Sequence, residues 1–180
     1  MMKRRSAGFT FMELMIVILI LGILLSLASF GFKNYESRYR CQAAAQVLAM
    51  DIRLQQQRAR SRDEQQGIFF YATTVGSNTV SVRYALGTHP TTGPVEESKF
   101  VHNNPPRIVN LNDQYSGVVI ESIQGSTSFP QYIYFDPSTV DSSGKWAPLS
   151  GFNGTIKFKG AQSNVFLTVK ENMEISITIQ

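Results

Sequence analysis

AGFTFMELMIVILILGILLSLASFGF, residues 7–32, sets one carboxylate, Glu13, at the threshold of a charge-free run from Leu14 to Phe32. The run is 19 residues long, enough for a helix rising about 1.5 Å per residue to cross the hydrocarbon core of a bilayer. An ionisable group entering the membrane is costly and marks a functional position with a partner to find. Glu13 therefore asks for a positive charge. Lys3, Arg4 and Arg5 precede the run and Lys33, Arg38 and Arg40 follow it, so flanking charge leaves its orientation open. Two plain readings exist: a secretory signal cut after the small-x-small triplet Ser26, Leu27 and Ala28, or a single-span anchor. Export chemistry, however, asks for no acid at the start of an apolar run.

Gly8, Phe9, Thr10 and Glu13, placed after the basic leader Lys3, Arg4 and Arg5 and before an apolar helix, resemble the processing site of type IV prepilins and pseudopilins. The resemblance implies that a membrane aspartyl prepilin peptidase removes residues 1–8 on the cytoplasmic side. It would cut between Gly8 and Phe9 and methylate the new amine of Phe9. That amine is a cation able to answer Glu13, in its own chain or a neighbour's, and in the family this pairing brings a subunit into register in a growing filament. Residues 9–32 would then form the transmembrane and filament-core helix. The resemblance places the chain in a bacterial inner membrane, single-pass, with its C-terminal part in the periplasm.

Composition agrees with a tethered extracytoplasmic domain. The formal charge of +4 is largely leader: without residues 1–8, 14 basic side chains face 13 acidic ones. Residues 33–62 carry seven basic and two acidic side chains, and residues 63–180 seven basic and ten acidic. A basic stem thus precedes a mildly acidic head, a polarity able to steer contacts but also ordinary for solvated faces. The single cysteine, Cys41, excludes an intrachain disulfide. It reads as a small helix-face residue, with an intermolecular bridge as the alternative.

The helical pattern continues past the membrane run. Residues 33–62 contain no Gly or Pro, and Tyr35, Tyr39, Ala43, Val47, Met50 and Leu54 recur at three- and four-residue spacing, widened by Leu48 and Ile52. This predicts an amphipathic stem over 33–62 whose stripe from Val47 to Leu54 packs on the head. One helix over residues 9–62 would be about 80 Å long, a pilin's lollipop stem. The family's usual proline in the second half of the membrane run is absent, and Gly22 and Gly31 remain as weak points.

Residues 63–180 read as a β-rich head. Segments 67–73, 79–86, 107–111, 117–123, 131–135, 155–159, 165–170 and 173–179 are short, rich in β-branched and aromatic residues, and divided by Gly, Asn, Ser or Pro. In the last, Met173, Ile175, Ile177 and Ile179 alternate with Glu174, Ser176 and Thr178, one face buried and one wet. Short antiparallel strands after one long helix predict an α+β pilin-like architecture, the head being a sheet or a small sandwich. Two loops, 87–106 and 136–153, have the composition of irregular surface and are candidate contact regions. Trp146 in the second is a candidate interface anchor, with packing over the sheet as the alternative.

Within the pilin-like group, the missing disulfide, the stem residues Leu48, Ile52, Arg53, Ala59 and Arg60, and an all-strand head are most similar to minor H-type pseudopilins of type II secretion and related minor pilins (GspH/FimT-like). A pseudopilin of this kind would help push folded cargo through an outer-membrane channel. A minor pilin would serve pilus assembly, adhesion or DNA uptake. The retained Glu13 argues against the extreme tip subunit, which in secretion systems commonly lacks that acid. Other pilins or pseudopilins, prepilin peptidase, and an inner-membrane assembly platform with its ATPase are the implied partners. No phosphate loop supplies energy from this chain: Gly144, Lys145 and Trp146 lack the glycine spacing before and the Ser or Thr after.

An enzyme finds little support, and no cofactor is expected. His89 and His102 sit in loops without a metal-ligand pattern, and Cys41 has no evident base. Asp136 and Asp141 bracket a polar loop that would suit calcium only by analogy with major pseudopilins. Nucleic acid is the rival ligand: Arg58, Arg60 and Arg62, or Lys157 and Lys159 on one strand face, would meet phosphates. The C-terminal residues 171–180, with two acids and no base, argue against it.

Overall fold

A run free of proline from the N-terminus to beyond residue 62, with a carboxylate in its first turn and two arginines in its last, has what a long helix needs to propagate and to oppose its own dipole. In the computed structural model, α1 spans Phe11–Arg62, 52 residues, with Glu13 in the first turn and Arg60 and Arg62 in the last. The structure describes residues 10–62, 64–88, 95–137, 151–161, 163–170 and 174–179, without the side chains of 27–34. The chain divides into two units between Glu36 and Ser37.

In the first unit every described side chain from Thr10 to Ser26 is exposed. A helix apolar on all sides has no solvated face to offer and must be covered by something other than its own chain. Among the described residues no helix is long and apolar enough to cross a membrane. The described side chains of this run stop at Ser26, before its end at Phe32.

Among the described residues the second unit carries eleven strands: β1 (Gln66–Phe70), β2 (Thr73–Val75), β3 (Asn78–Val80), β4 (Arg83–Thr88), β5 (Val101–His102), β6 (Ile108–Asn110), β7 (Val119–Ile123), β8 (Gln131–Phe135), β9 (Gly154–Lys159), β10 (Asn164–Val169) and β11 (Ile175–Ile179), with a helical turn α2 (Leu111–Gln114) after β6. All the strand pairings are antiparallel. One sheet has the order β5-β4-β1-β8, with β6 also on β4; a second runs β11-β10-β9-β7; β2 and β3 form a hairpin. The expected alternatives of sheet or sandwich resolve into two sheets that share one core with α1, built from Leu48 and Ile52, from Ile68, Tyr84 and Leu86, and from Ile156, Phe158 and Leu167.

The helix meets that core along a face rotated from the expected stripe. Cys41, Ala44, Ala45, Leu48, Ala49, Ile52 and Ala59 are buried, whereas Tyr35, Tyr39 and Met50 are 70%, 63% and 64% exposed. Ala43, Val47 and Leu54 are half-buried at the edge of the contact. Small side chains let a sheet come close to the helix axis, so alanines rather than tyrosines mark the contact, and reading by size alone missed them. Cys41 is fully buried, with Sγ 4.0 Å from the Ser163 carbonyl, which removes the intermolecular bridge in this fold. Burial pushes its thiol up from its ordinary pKa.

Two strand segments differ from expectation. Segment 79–86 is split into β3 and β4 because Ser81 leaves the hairpin to bridge Ile120. Segment 87–106 is not irregular surface alone: Glu97–Lys99 is a 3-10 turn, β5 follows it, and Phe100 packs with Phe69, Tyr71 and Ala85 on the outer face of the first sheet. That strap explains why β1 is buried at all five positions instead of alternating. Gly67 and Gly87 face each other across β1 and β4. A Cβ on either would enter the ring of Tyr132 or Phe100 and a carbonyl of the neighbouring strand, so the glycines let the rings lie on the sheet. The β11 face of Ile175 and Ile177 is half-buried and Ile179 is 40% exposed, less covered than its alternation implies, because β11 is an edge strand.

Candidate functional site

Thr10 immediately precedes α1, and its Oγ1 accepts the Glu13 N–H at 3.2 Å while its carbonyl accepts the Leu14 N–H at 3.2 Å. This is an N-cap with a glutamate at the third helical position, the arrangement of a capping box. The cap was legible as T-x-x-E at residues 10–13 but was not part of the sequence reading. It holds Glu13 in the first turn, where the helix dipole favours negative charge, and keeps that turn from fraying beside the apolar run. Glu13 is exposed, as are Phe11 and Met12. Gly8 and Phe9, the residues of the expected cleavage, lie outside the described residues. Further along, a Cβ on Gly22 would meet nothing within 4 Å, and the Ser26 hydroxyl donates a hydrogen bond back to the Gly22 carbonyl at 2.9 Å. The backbone there is bare on one side, which permits close approach of another helix.

At its other end the helix is locked to the head by polar groups that the sequence reading passed over. Asp51 is 3% exposed and accepts the Tyr84 hydroxyl at 2.8 Å and the Arg107 Nε and Nη2 donors at 2.8 and 3.2 Å. One turn on, fully buried Gln55 donates to the carbonyl of Gly67 and accepts the Asn103 amide at 3.0 Å. Asp51 and Gln55, four apart beside Leu48 and Ile52, were the available signal: acids and amides on an apolar stripe have partners waiting. Burial first, and then the Asp51 charge, raise the Tyr84 hydroxyl far above its ordinary pKa, so it stays a donor. The Asp51 hydrogen bond raises Arg107 as well.

The other expected positions scatter. Trp146, His89 and Asp141 lie outside the described residues. His102, on β5, stands edge-on to Phe100 with ring centroids 5.0 Å apart. Asp136 accepts a hydrogen bond from Gln65 at 2.8 Å, and among the described residues no three His, Cys, Asp or Glu side chains cluster as a metal site. Lys157 and Lys159 do share a face of β9, but both bind Glu121, at 2.5 and 2.7 Å. Those two lysines hold the Glu121 carboxyl below its ordinary range. They do not form the unopposed basic strip that phosphate binding asks for.

Residues 3–29 match the family model described as the prokaryotic N-terminal methylation motif. Neither a curated protein nor a solved structure matches the chain.

Proposed function

We infer that this chain, whose N-terminus is that of a type IV prepilin-like protein, is a minor pseudopilin: a structural and assembly subunit of the type II secretion pseudopilus. The methylation motif at residues 3–29 carries the reading. It implies processing by prepilin peptidase and assembly with other pilins. Cleavage falls between Gly8 and Phe9, and the methylated Phe9 amine pairs with Glu13. The run from Phe9 to Phe32 anchors the monomer in the inner membrane, with the β-rich part in the periplasm. On assembly it exchanges lipid for neighbouring helices, close approach at Gly22 and Ser26 favouring the exchange. The exposure of every described side chain from Thr10 to Ser26 and the capped first turn support this use. The work is binding and assembly rather than chemistry, and an assembly ATPase supplies the energy. A minor type IV pilin is the second reading, since the motif serves both machines.

The test is the intact mass and N-terminal peptide of the protein extracted from its native membrane. Loss of residues 1–8 with a methyl group on Phe9 is expected, and Glu13→Ala is expected to leave cleavage intact while reducing incorporation into filaments. A chain starting at Ser29, or an uncut leader, defeats the filament reading. Deletion of the gene then separates the machines: retention of folded cargo in the periplasm is the expected result, and loss of surface pili with secretion intact assigns the pilin role.

A further inference from the structure

Beside the second sheet lies an open groove of about 820 Å³, within the size range of ligand sites. The β2–β3 hairpin forms one wall, the loop 125–129 another, and Glu121, Lys157 and Lys159 lie on its floor. Its existence follows from a broken ladder. Ser81 and Ile120 exchange both backbone bonds, at 2.9 and 2.8 Å, and a continued antiparallel ladder would next pair Thr79 with Ser122 by hydrogen bonds. A bulge at Glu121 shifts the register between Ile120 and Ser122. Past it, β7 spends its outward groups at Ile123 on Ser126, while Gln124 turns to Thr155 of β9. The regular ladder stops there. The two-residue turn Gly76–Ser77 closes β2 and β3 at Val75 and Asn78, so Thr79 has its N–H and C=O on the edge away from β2, towards the groove.

We propose that this groove binds an extended acidic segment of a partner protein, which pairs its main chain with β3 at Thr79 and sets a carboxylate against one of Lys157 and Lys159. The lining holds two cations and one anion among its residues. Glu121 occupies both lysines, and an entering carboxylate takes one of them while Glu121 keeps the other. A peptide fits this better than a nucleic acid. Main-chain pairing along a strand edge is how extended peptides gain affinity, and a phosphodiester backbone, which has no N–H donors, cannot reproduce it. Hydroxyls of Ser77, Thr127 and Ser128 and the apolar sides of Val75 and Phe129 line the rest, suiting a strand whose side chains alternate between acid and valine. The proposal stands on the head alone and is independent of the filament reading.

The test uses the full-length chain in detergent micelles and a fluorescein-labelled octapeptide, Thr-Val-Asp-Val-Asp-Val-Asp-Thr. Its lysine-for-aspartate twin and a dodecamer of deoxythymidine are the comparison probes. Saturable binding of the acidic peptide is expected, with a shift of the Thr79 amide resonance. Binding should weaken at least tenfold in Lys157→Ala/Lys159→Ala, tighten severalfold in Glu121→Gln, and stay unchanged in Lys99→Ala. Lys159→Ala alone, at an exposed position, keeps the test valid should the double variant not fold. No binding, equal binding of the lysine twin, or an unmoved Thr79 amide overturns the proposal. Equal binding of the deoxythymidine dodecamer also overturns it and assigns the groove to nucleic acid.

Discussion

Asp51 shows what one buried acid does in a helix–sheet contact. It accepts from Tyr84 on β4 and from Arg107 just before β6, so a single side chain ties the helix to two neighbouring segments of the first sheet. Arg107 is half-exposed at 49%, and its share of the ion pair is screened by solvent. The Tyr84 bond is the buried part. Tyr84→Phe removes the donor and leaves Asp51 its arginine, for a loss of about 1 kcal/mol. Asp51→Ala strands a buried hydroxyl as well and loses about 1–3 kcal/mol. Denaturant unfolding of the two variants checks the order: a Tyr84→Phe loss larger than that of Asp51→Ala would show that the Tyr84 hydroxyl does more than bind Asp51. Neither partner of Asp51 was visible in the sequence, since both lie more than thirty residues away.

At the scale of elements, the strands were legible wherever a run was bounded by turn residues and paired along its whole length. Segment 131–135 coincides with β8, 155–159 differs from β9 by one residue at its start, and 165–170 is displaced from β10 by one residue at each end. What failed were elements decided by a neighbour: the split of β3 from β4, the strap over the first sheet, and the buried face of α1. Local periodicity reports that a helix has two faces, but a close sheet selects the face of small residues. Two substitutions separate the faces. Leu48→Ala, at a fully buried site, should cost about 2–5 kcal/mol. Met50→Gln, on the exposed face, should stay within about 0.5 kcal/mol of the parent. Comparable losses in thermal melts would restore the expected stripe. The cap at Thr10 belongs to the same scale, because it fixes where the helix begins and so places Glu13 in its first turn.

For the whole molecule, the core shared by α1 and both sheets lies within the unit Ser37–Gln180. A fragment of those residues should therefore fold and unfold in one cooperative transition, checked by near-ultraviolet circular dichroism; a broad, featureless transition would mean that the first unit is needed for the fold. Its stability should fall at both ends of the pH scale. Glu121 has its carboxyl lowered below 4.5 by hydrogen bonds from Lys157 and Lys159. That contribution is present above the unfolded value and is lost as pH falls through the folded one. Tyr84 has its hydroxyl raised above 10.0 by burial, so its contribution is whole below about pH 10 and is lost as the solution becomes more alkaline. The sequence by itself determined the N-terminal motif, the helix that follows it and the β-rich character of the rest, because cleavage signals, apolar runs and strand alternation are written in neighbouring residues. Only the tertiary structure decided which helix face is covered, where Asp51 finds its partners, and that Lys157 and Lys159 are held by Glu121 at the floor of a groove. Those outcomes depend on residues brought together from distant parts of the chain, where packing distance and desolvation choose between arrangements that local pattern leaves equal.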